Sequence, residues 1–541
     1  MDKYIQLFKE ITSVKEWKDD SLNKILRKYK KEDGTLYRND YLVNKYREYV
    51  SEGKIEKDKI LEKRLRLRPT RTDSGVVVVT LLTKPYGCPG NCIYCPTEPL
   101  MPKSYIATEP GAQRALDNLF DPYAQVYNRL IALRNIGHNI EKVEIIILGG
   151  TWSFYPLDYQ IWFVDQCYKA LNSIDTNSKD YIKPRKINSY YEESSWEELE
   201  KDQVINESAY CRNVGLVLET RPDYITEENI IDMRRLGATK IQIGIQSLDD
   251  EVLNANKIGR SVKEVENAFA LLRRAGFKIH GHVMPNLYKS TIEKDIATYK
   301  KLWTDPFCPD ELKIYPTTVI RNTYLSYLYN RGMYKPYSAD ELVDILAKCM
   351  EMTPRYCRLS RIIRDIPSGN IEAGNKKTNL RQIVEERVKE NGVKLEDIRS
   401  REIKEENVNK EDIVLEDIAY DTTVSVEHFL SYKTKSTDKL CGFLRLSLPK
   451  EEYRKESIIK ELDGCAIIRE VHVYGSVVGL ENDGDGESQH IGLGKSLIKQ
   501  AEKISKDKDF SKLAVISAIG TRKYYESQSF VRDNLYLIKK L

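Results

Sequence analysis

Between Val76 and Pro316 the chain changes hydrophobic period again and again. Short apolar runs, "VVVVTLLT", "KVEIIILGG", "NVGLVLET", "KIQIGIQS", "FKIHGHVMP" and "ELKIYP", are each separated by an amphipathic stretch long enough for a helix. Nearly continuous apolar strands joined by helical crossovers specify a parallel sheet covered by helices. Six or so such units predict a partial (β/α)6 barrel rather than a closed eight-fold one. This assigns residues 72–316 to an α/β barrel. Residues 411–541 have a different order: consecutive, mostly antiparallel strands, then a glycine-led helix "IGLGKSLIKQAEKISK", a strand, a short helix and a last strand. They are expected to form a second α/β domain. Residues 1–71 read as a basic helical segment and 317–410 as a basic linker region.

Composition excludes other classes. The chain has 541 residues, long enough for several cores, and ten cysteines, too few for a disulfide framework. No apolar run has the length of a membrane span, and the N-terminus lacks the pattern of a secretory signal. A cytoplasmic, reducing location with no membrane partner is therefore expected, and clustered cysteines there point to metal or redox chemistry. The net charge of +4 is unevenly spread. Residues 1–71 carry an excess of Lys and Arg, dense in "KILRKYKK" and "KRLRLRPTR". Such a segment suits a polyanion, or forms an ordinary solvated helical face.

Three of the ten thiols fall within eight positions, "CPGNCIYC", as Cys88, Cys92 and Cys95, directly after the first barrel strand. Parallel folds place their chemistry at this end of a strand. Three thiolates on one Gly- and Pro-interrupted loop can hold three irons of a four-iron, four-sulfur cluster and leave the fourth open. A structural zinc ion is the alternative, but it takes a fourth ligand that no nearby Cys or His supplies. The triplet resembles the signature of the radical S-adenosylmethionine enzymes. That resemblance implies S-adenosylmethionine on the open iron, Tyr94 packed on its adenine, and Gly149 and Gly150 of "LGGTW" near its amino group. Polar residues at later strands aim at the same mouth: Glu219, Arg221, Gln242, Gln246, Ser247, His280, His282, Lys313 and Tyr315. Of these, Arg221 and Gln246 are candidate cofactor ligands and Lys313 a candidate catalytic residue. Singly, each reads more readily as a satisfied structural residue than as a catalytic one; their shared position is what favours the set.

A second motif, "QHIGLGK", opens the helix of the C-terminal unit with Gln489, Gly492, Leu493, Gly494 and Lys495. Glycines at a helix start admit a phosphate to backbone N–H groups. Four antiparallel strands before it are wrong for a dinucleotide fold. The motif instead resembles the pyrophosphate turn of Gcn5-related N-acetyltransferases, whose substrate is acetyl-coenzyme A. Glu470, Val471, His472 and Val473 then stand where that family's splayed strand pairs with pantetheine, and Tyr524 and Tyr525 where a tyrosine lies near the sulfur.

Together the two halves resemble the catalytic acetyltransferase subunit of Elongator, the tRNA-uridine acetyltransferase family, in its single-chain archaeal or bacterial form. "CIYCPTEP", "YIATEPGAQRA", "DPYAQV", "LETRPD", "ELKIYPTTVIRNT", "RDIP" and "HVYGS" carry the match. The resemblance implies a carboxymethyl precursor installed at C5 of the wobble uridine. Its inputs are acetyl-coenzyme A, S-adenosylmethionine and an external electron donor. It also places Lys142 at the acetyl-coenzyme A interface. Family members carry a Cys-x-Cys-x-x-Cys zinc site where this chain has Leu395, Asp397 and Ser400, so no zinc is expected. Contact with a tRNA anticodon stem-loop is assigned to Arg355, Arg358, Arg361 and Arg364, at every third position, and to Lys376, Lys377 and Arg381; a solvated protein face is the alternative. The rival functions are a protein lysine acetyltransferase with a structural cluster, which leaves the cysteine triplet without a task, and a non-catalytic tRNA-binding scaffold, which leaves both cofactor motifs unexplained.

Overall fold

The computed structural model describes residues 2–18, 20–31, 33–67, 74–186, 194–403, 408–474 and 491–541. Its first sheet contains the six expected strands, β1 (Val77–Leu82), β2 (Lys142–Leu148), β3 (Arg212–Thr220), β4 (Lys240–Gln246), β5 (Lys278–Val283) and β6 (Glu311–Ile314). Every neighbouring pair is parallel and the order is sequential. Val, Ile and Leu on these strands pack against crossover helices such as Leu157–Ser173 and Val262–Arg274, the latter started by a Ser261–Glu264 capping box.

The region expected to be a linker is folded. It supplies a two-stranded pair, β7 (Val319–Ile320) with β9 (Ile371–Ala373), helices Tyr324–Asn330, Ala339–Glu351 and Leu380–Glu390, and β8 (Arg358–Arg361). β8 pairs in parallel with β6 and becomes the seventh strand of the barrel sheet. "RLSR" hid this role because its only apolar residue is Leu359, which is wholly buried.

The N-terminal segment is more than a charged helical face. Helices Lys3–Ser13, Ser21–Leu26, Asn39–Ser51 and Lys59–Leu65 enclose a core of their own around Leu7, Phe8, Ile11, Leu42, Tyr46 and Leu61. Arg64, from the basic run, donates to the carbonyls of Ile11, Thr12 and Val14 and so caps the first helix.

The second sheet runs β10 (Ile413–Asp421), β11 (Ser425–Thr434), β12 (Leu440–Pro449), β13 (Cys465–Val473), β14 (Lys512–Val515), β16 (Tyr536–Lys540), β15 (Val531–Asp533). β10 to β13 are antiparallel, as their sequence implied. β14 returns parallel to β13 after helix Ile491–Asp507, pairing only with Cys465–Ile468. Beyond Ile468 the two strands part.

This sheet docks on the N-terminal ends of the barrel strands. Asp310, just before β6, is fully buried and receives Arg469 at 2.6 and 2.8 Å, with Arg445 at 3.3 Å. Arg469 also reaches Glu427 at 2.8 Å, and Arg445 reaches Glu470 at 2.9 Å. Glu470 pairs in turn with Lys278, which lies 3.1 Å from Glu311. Burial alone would raise the Asp310 pKa, but Arg469 and Arg445 outweigh it and hold the carboxyl well below its ordinary value. Asp310→Asn leaves two buried guanidinium groups short of a counter-charge and is expected to destabilise the protein by about 3 kcal/mol in urea unfolding. With its folded pKa depressed, Asp310 contributes stability that is present above the unfolded carboxylate value and lost as pH falls below about 4. The wild-type advantage over Asp310→Asn therefore shrinks at low pH, and equal unfolding midpoints at pH 7 would refute the assignment.

Candidate active site

The loop after β1 brings Cys88, Cys92 and Cys95, all half-buried, to the C-terminal end of the parallel sheet. Its middle is clamped: the Ile93 N–H donates to the Asn256 carbonyl at 3.2 Å, and the Ile93 carbonyl accepts from the Leu325 N–H at 2.8 Å. Arg221 crosses the loop at Gly90, where a Cβ would strike its guanidinium. The rest of Arg221 is fixed by Asp223 at 2.9 Å and the Ile258 carbonyl at 3.0 Å. Arg260, which sequence reasoning missed, lies buried nearby, donating to the Gly244 and Ile245 carbonyls. A hydrogen bond from Cys95, with Arg260 and Arg221 adding to it, brings the Cys92 thiol down to about 6. Tyr94 is buried beside these thiols. Gly149 and Gly150 both take positive φ, 145° and 93°, and a Cβ at Gly149 would collide with Thr83. The glycine pair is therefore required by the backbone.

The cysteine loop opens on a cavity of about 2030 Å³ that runs through the barrel to the second sheet. The three cysteines, Tyr94, Gly150, Arg221 and Gln246 line one end. Gln242, His280 and Lys313 line the middle, and Glu470, Val471, His472 and Tyr525 the other end. In the middle, Lys313 donates to Gln242 at 2.8 Å, Glu219 accepts from Tyr105 at 3.1 Å, and His282 lies 3.6 Å from Glu219. Burial is the main cause of every shift here. It pushes the Glu219 carboxyl up, keeps His280 and His282 neutral, and lowers the Lys313 ammonium to about 8.

At the far end, the divergence of β14 leaves Glu470–Val473 without a strand partner on that side among the described residues. Tyr525 is buried and faces the cavity, whereas the Tyr524 hydroxyl approaches Gly494, where a Cβ would come within 2.8 Å of it. The two tyrosine candidates thus serve different places. The steric demand for glycine falls on Gly494, since a Cβ at Gly492 meets nothing within 4 Å among the described residues. Leu493 and Lys495 are partly exposed on the same helix start, and Gln489 lies outside the described residues. Lys142 is exposed at the first position of β2, the barrel end that faces the second sheet.

The arginine series does not form one exposed face, because its residues lie on β8 and on the segments just before and after it. Arg355 is locked by Glu396, Glu416 at 3.3 Å and Asp438 at 2.7 Å. Arg358 pairs with Glu402 at 2.7 Å, and Arg364 with Glu109 at 2.8 Å. Arg381 pairs with Glu385 at 2.7 Å. These four are structural ion pairs, and the expectation that they are exposed is corrected. Arg361 is about half exposed, beside Asp365, and Lys376 and Lys377 are exposed. In the stretch expected to lack zinc, Asp397 caps helix Ile398–Arg401, accepting from the Arg399 N–H at 3.0 Å and from Ser400, while Leu395 packs at the cavity wall. Among the described residues no three His, Cys, Asp or Glu side chains are arranged to hold a single metal ion.

A parallel barrel sheet with a three-cysteine loop after its first strand defines a radical S-adenosylmethionine protein. The Radical SAM superfamily model matches residues 82–302, and the Radical_SAM C-terminal domain matches 309–390. The latter includes β8, the seventh strand. A radical SAM domain implies a four-iron, four-sulfur cluster and S-adenosylmethionine, and three thiols opening together on the cavity fit that donor set. The chain is 36% identical to the tRNA uridine(34) acetyltransferase of Methanocaldococcus infernus, over 90% of this chain and 89% of that one. It is 37% identical to that of Dehalococcoides mccartyi, over 87% and 99%. It is 34% identical to Elongator complex protein 3 of Saccharomyces cerevisiae, over 89% and 87%. The solved structure of archaeal M. infernus Elp3 with an N-terminal deletion superimposes with a TM-score of 0.72 at 34% identity, covering 86% of this chain and 99% of that one. The chain belongs to this family of tRNA uridine(34) acetyltransferases and Elongator complex protein 3.

Lys313 gives the central chamber a measurable signature. Between pH about 8 and its ordinary value of 10.5, the unfolded chain holds a proton that the folded chain has released. Stability contributed through Lys313 therefore rises with pH across that window. The urea midpoint of wild type relative to Lys313→Met should shift in favour of wild type between pH 8 and 10; a pH-independent difference would contradict the assignment.

Proposed function

We propose that this protein installs a carboxymethyl precursor at C5 of the wobble uridine of tRNA, taking the two-carbon unit from acetyl-coenzyme A. The observation that carries this reading is the single cavity joining the cysteine loop to the open edge of β13. Two unrelated activities would have no need of a shared interior. A protein lysine acetyltransferase would need only the C-terminal cleft, and a binding scaffold neither end.

Cys88, Cys92 and Cys95 would hold three irons of the cluster. Tyr94, Gly149, Gly150, Arg221 and Gln246 surround the space beside it for S-adenosylmethionine. The cluster and S-adenosylmethionine, when bound and reduced by an external donor, supply a deoxyadenosyl radical able to take hydrogen from an unactivated methyl group. The protein's own part is positional. The backbone of Val471 to Val473, on the side turned away from β12, pairs with the pantetheine arm as an added strand would. The helix start at Gly492 to Lys495, together with Gln489, takes the diphosphate, with the exposed Lys142 ammonium at the same end of the barrel. Tyr525 places its hydroxyl at the thioester end. The central chamber, with Lys313 and neutral His280 and His282, shields a reactive carbon centre from bulk water. Arg361, Lys376 and Lys377 offer the exposed charge for the anticodon stem-loop.

The test supplies acetyl-coenzyme A deuterated on the methyl group to the anaerobically reconstituted enzyme with tRNA. Deuterium is expected in the released 5'-deoxyadenosine. Cofactor cleavage without label would overturn the coupled reading and favour a separate lysine acetyltransferase. In parallel, replacing Cys88, Cys92 or Cys95 with Ser should each remove most of the iron; full iron content in all three variants would reject the cluster assignment.

A further inference from the structure

Helix Tyr324–Asn330 begins four residues beyond Ile320, which lines the cavity, and packs against the cysteine loop at Ile93. Leu325, Ser326 and Leu328 turn inward and are buried. Tyr324 and Tyr327 turn outward, 51% and 46% exposed. Their rings stack, with centroids 5.6 Å apart and planes 26° from parallel. Lys257 lies 5.0 Å from the centre of the Tyr324 ring and Arg331 4.8 Å from that of Tyr327. Neither cation has a carboxylate partner among the described residues. The same helix supplies the Leu325 N–H to Ile93, and the turn bearing Lys257 supplies the Asn256 carbonyl to the Ile93 N–H. The cysteine loop is therefore held between the two elements that carry the aromatic pair and its cations.

We infer that Tyr324 and Tyr327, flanked by Lys257 and Arg331, are a stacking platform for unpaired nucleotides of the RNA loop whose target base enters the cavity. This rests on the tRNA reading above. Single-stranded loops are recognised by splaying bases onto aromatic faces, with cations nearby to meet phosphates. A protein partner would favour a continuous apolar surface; here each exposed ring has beside it a cation with no carboxylate partner among the described residues. The position also matters, because a loop seated on this helix is anchored to the same peptide that orients the cysteines.

The experiment uses the reconstituted full-length enzyme and an anticodon stem-loop RNA carrying 2-aminopurine beside the wobble position. Wild type should bind and quench the probe by stacking. The Tyr324→Ala/Tyr327→Ala double variant should lose the quench and bind about 10-fold or more weakly, while the slope of log Kd against log salt stays unchanged, since no phosphate contact is removed. The Phe/Phe variant should restore both. Lys257→Ala should instead flatten the salt slope by about 0.7. No quench in wild type, or unchanged affinity in the double Ala variant, overturns the platform yet leaves the tRNA reading standing, and would return this face to a protein partner. Failure of wild type to bind tRNA at all overturns both.

Discussion

The Asp310 carboxylate, with no solvent exposure and two guanidinium groups upon it, fixes how the two halves of the enzyme meet. It stands at the entry to β6. Arg469 and Arg445 come from the middle of the second sheet, and Glu427 and Glu470 complete their charge. Ions this deep repay their desolvation only when every partner is in place. The arrangement therefore tolerates little sliding between domains. It is reinforced where backbones touch: a Cβ on Gly276 would strike Ile467, and one on Gly520 would reach the Asn213 carbonyl. Arg234 adds hydrogen bonds to the Ser517 and Leu535 carbonyls.

That rigidity has a chemical consequence, because the strand carrying Arg469 and Glu470 continues into Val471 and His472, which line the cavity and, among the described residues, have no partner strand on the β14 side. The side chains anchor the strand to the barrel beside the cavity. The cysteine loop lies at the C-terminal ends of the barrel strands and the second sheet at their N-terminal ends. Any acyl group passing between them must travel along the barrel interior. Radical chemistry gains from such a route, since a fixed path limits the side reactions open to an exposed carbon centre.

Much of this was legible in the sequence, and the failures have physical causes. The strand–helix alternation revealed six barrel strands because the face under the helices is buried and much of the cavity-facing side, such as Val78 and Ile146, is apolar as well. It missed β8 because an end strand with one buried residue, Leu359, leaves no period to read. The cysteine loop and the glycine pair were visible because they need particular residue types. Their supports were not: Arg260 and Thr83 act through carbonyls and loop packing that no spacing encodes. Arg355, Arg358 and Arg364 read as exposed because charge density says nothing about whether a carboxylate distant in sequence, such as Glu109 or Asp438, is waiting in the fold. Arg64 shows the same limit, being a helix cap inside a run that looked made for polyanions.

The barrel interior also differs from an ordinary core in what it leaves unmet. Gln246 holds φ at 65°, unusual for a residue with a side chain, and its Oε1 is buried without a partner among the described residues. The same holds for His282 Nε2. Such groups cost stability unless something polar meets them, and a chain folding only to pack would replace them with apolar side chains. Both face the cavity, between the cysteine loop and Lys313. Their strain and missing hydrogen bonds are what a chamber shaped for a polar ligand would carry when built on a parallel sheet, whose strands otherwise favour Val and Ile.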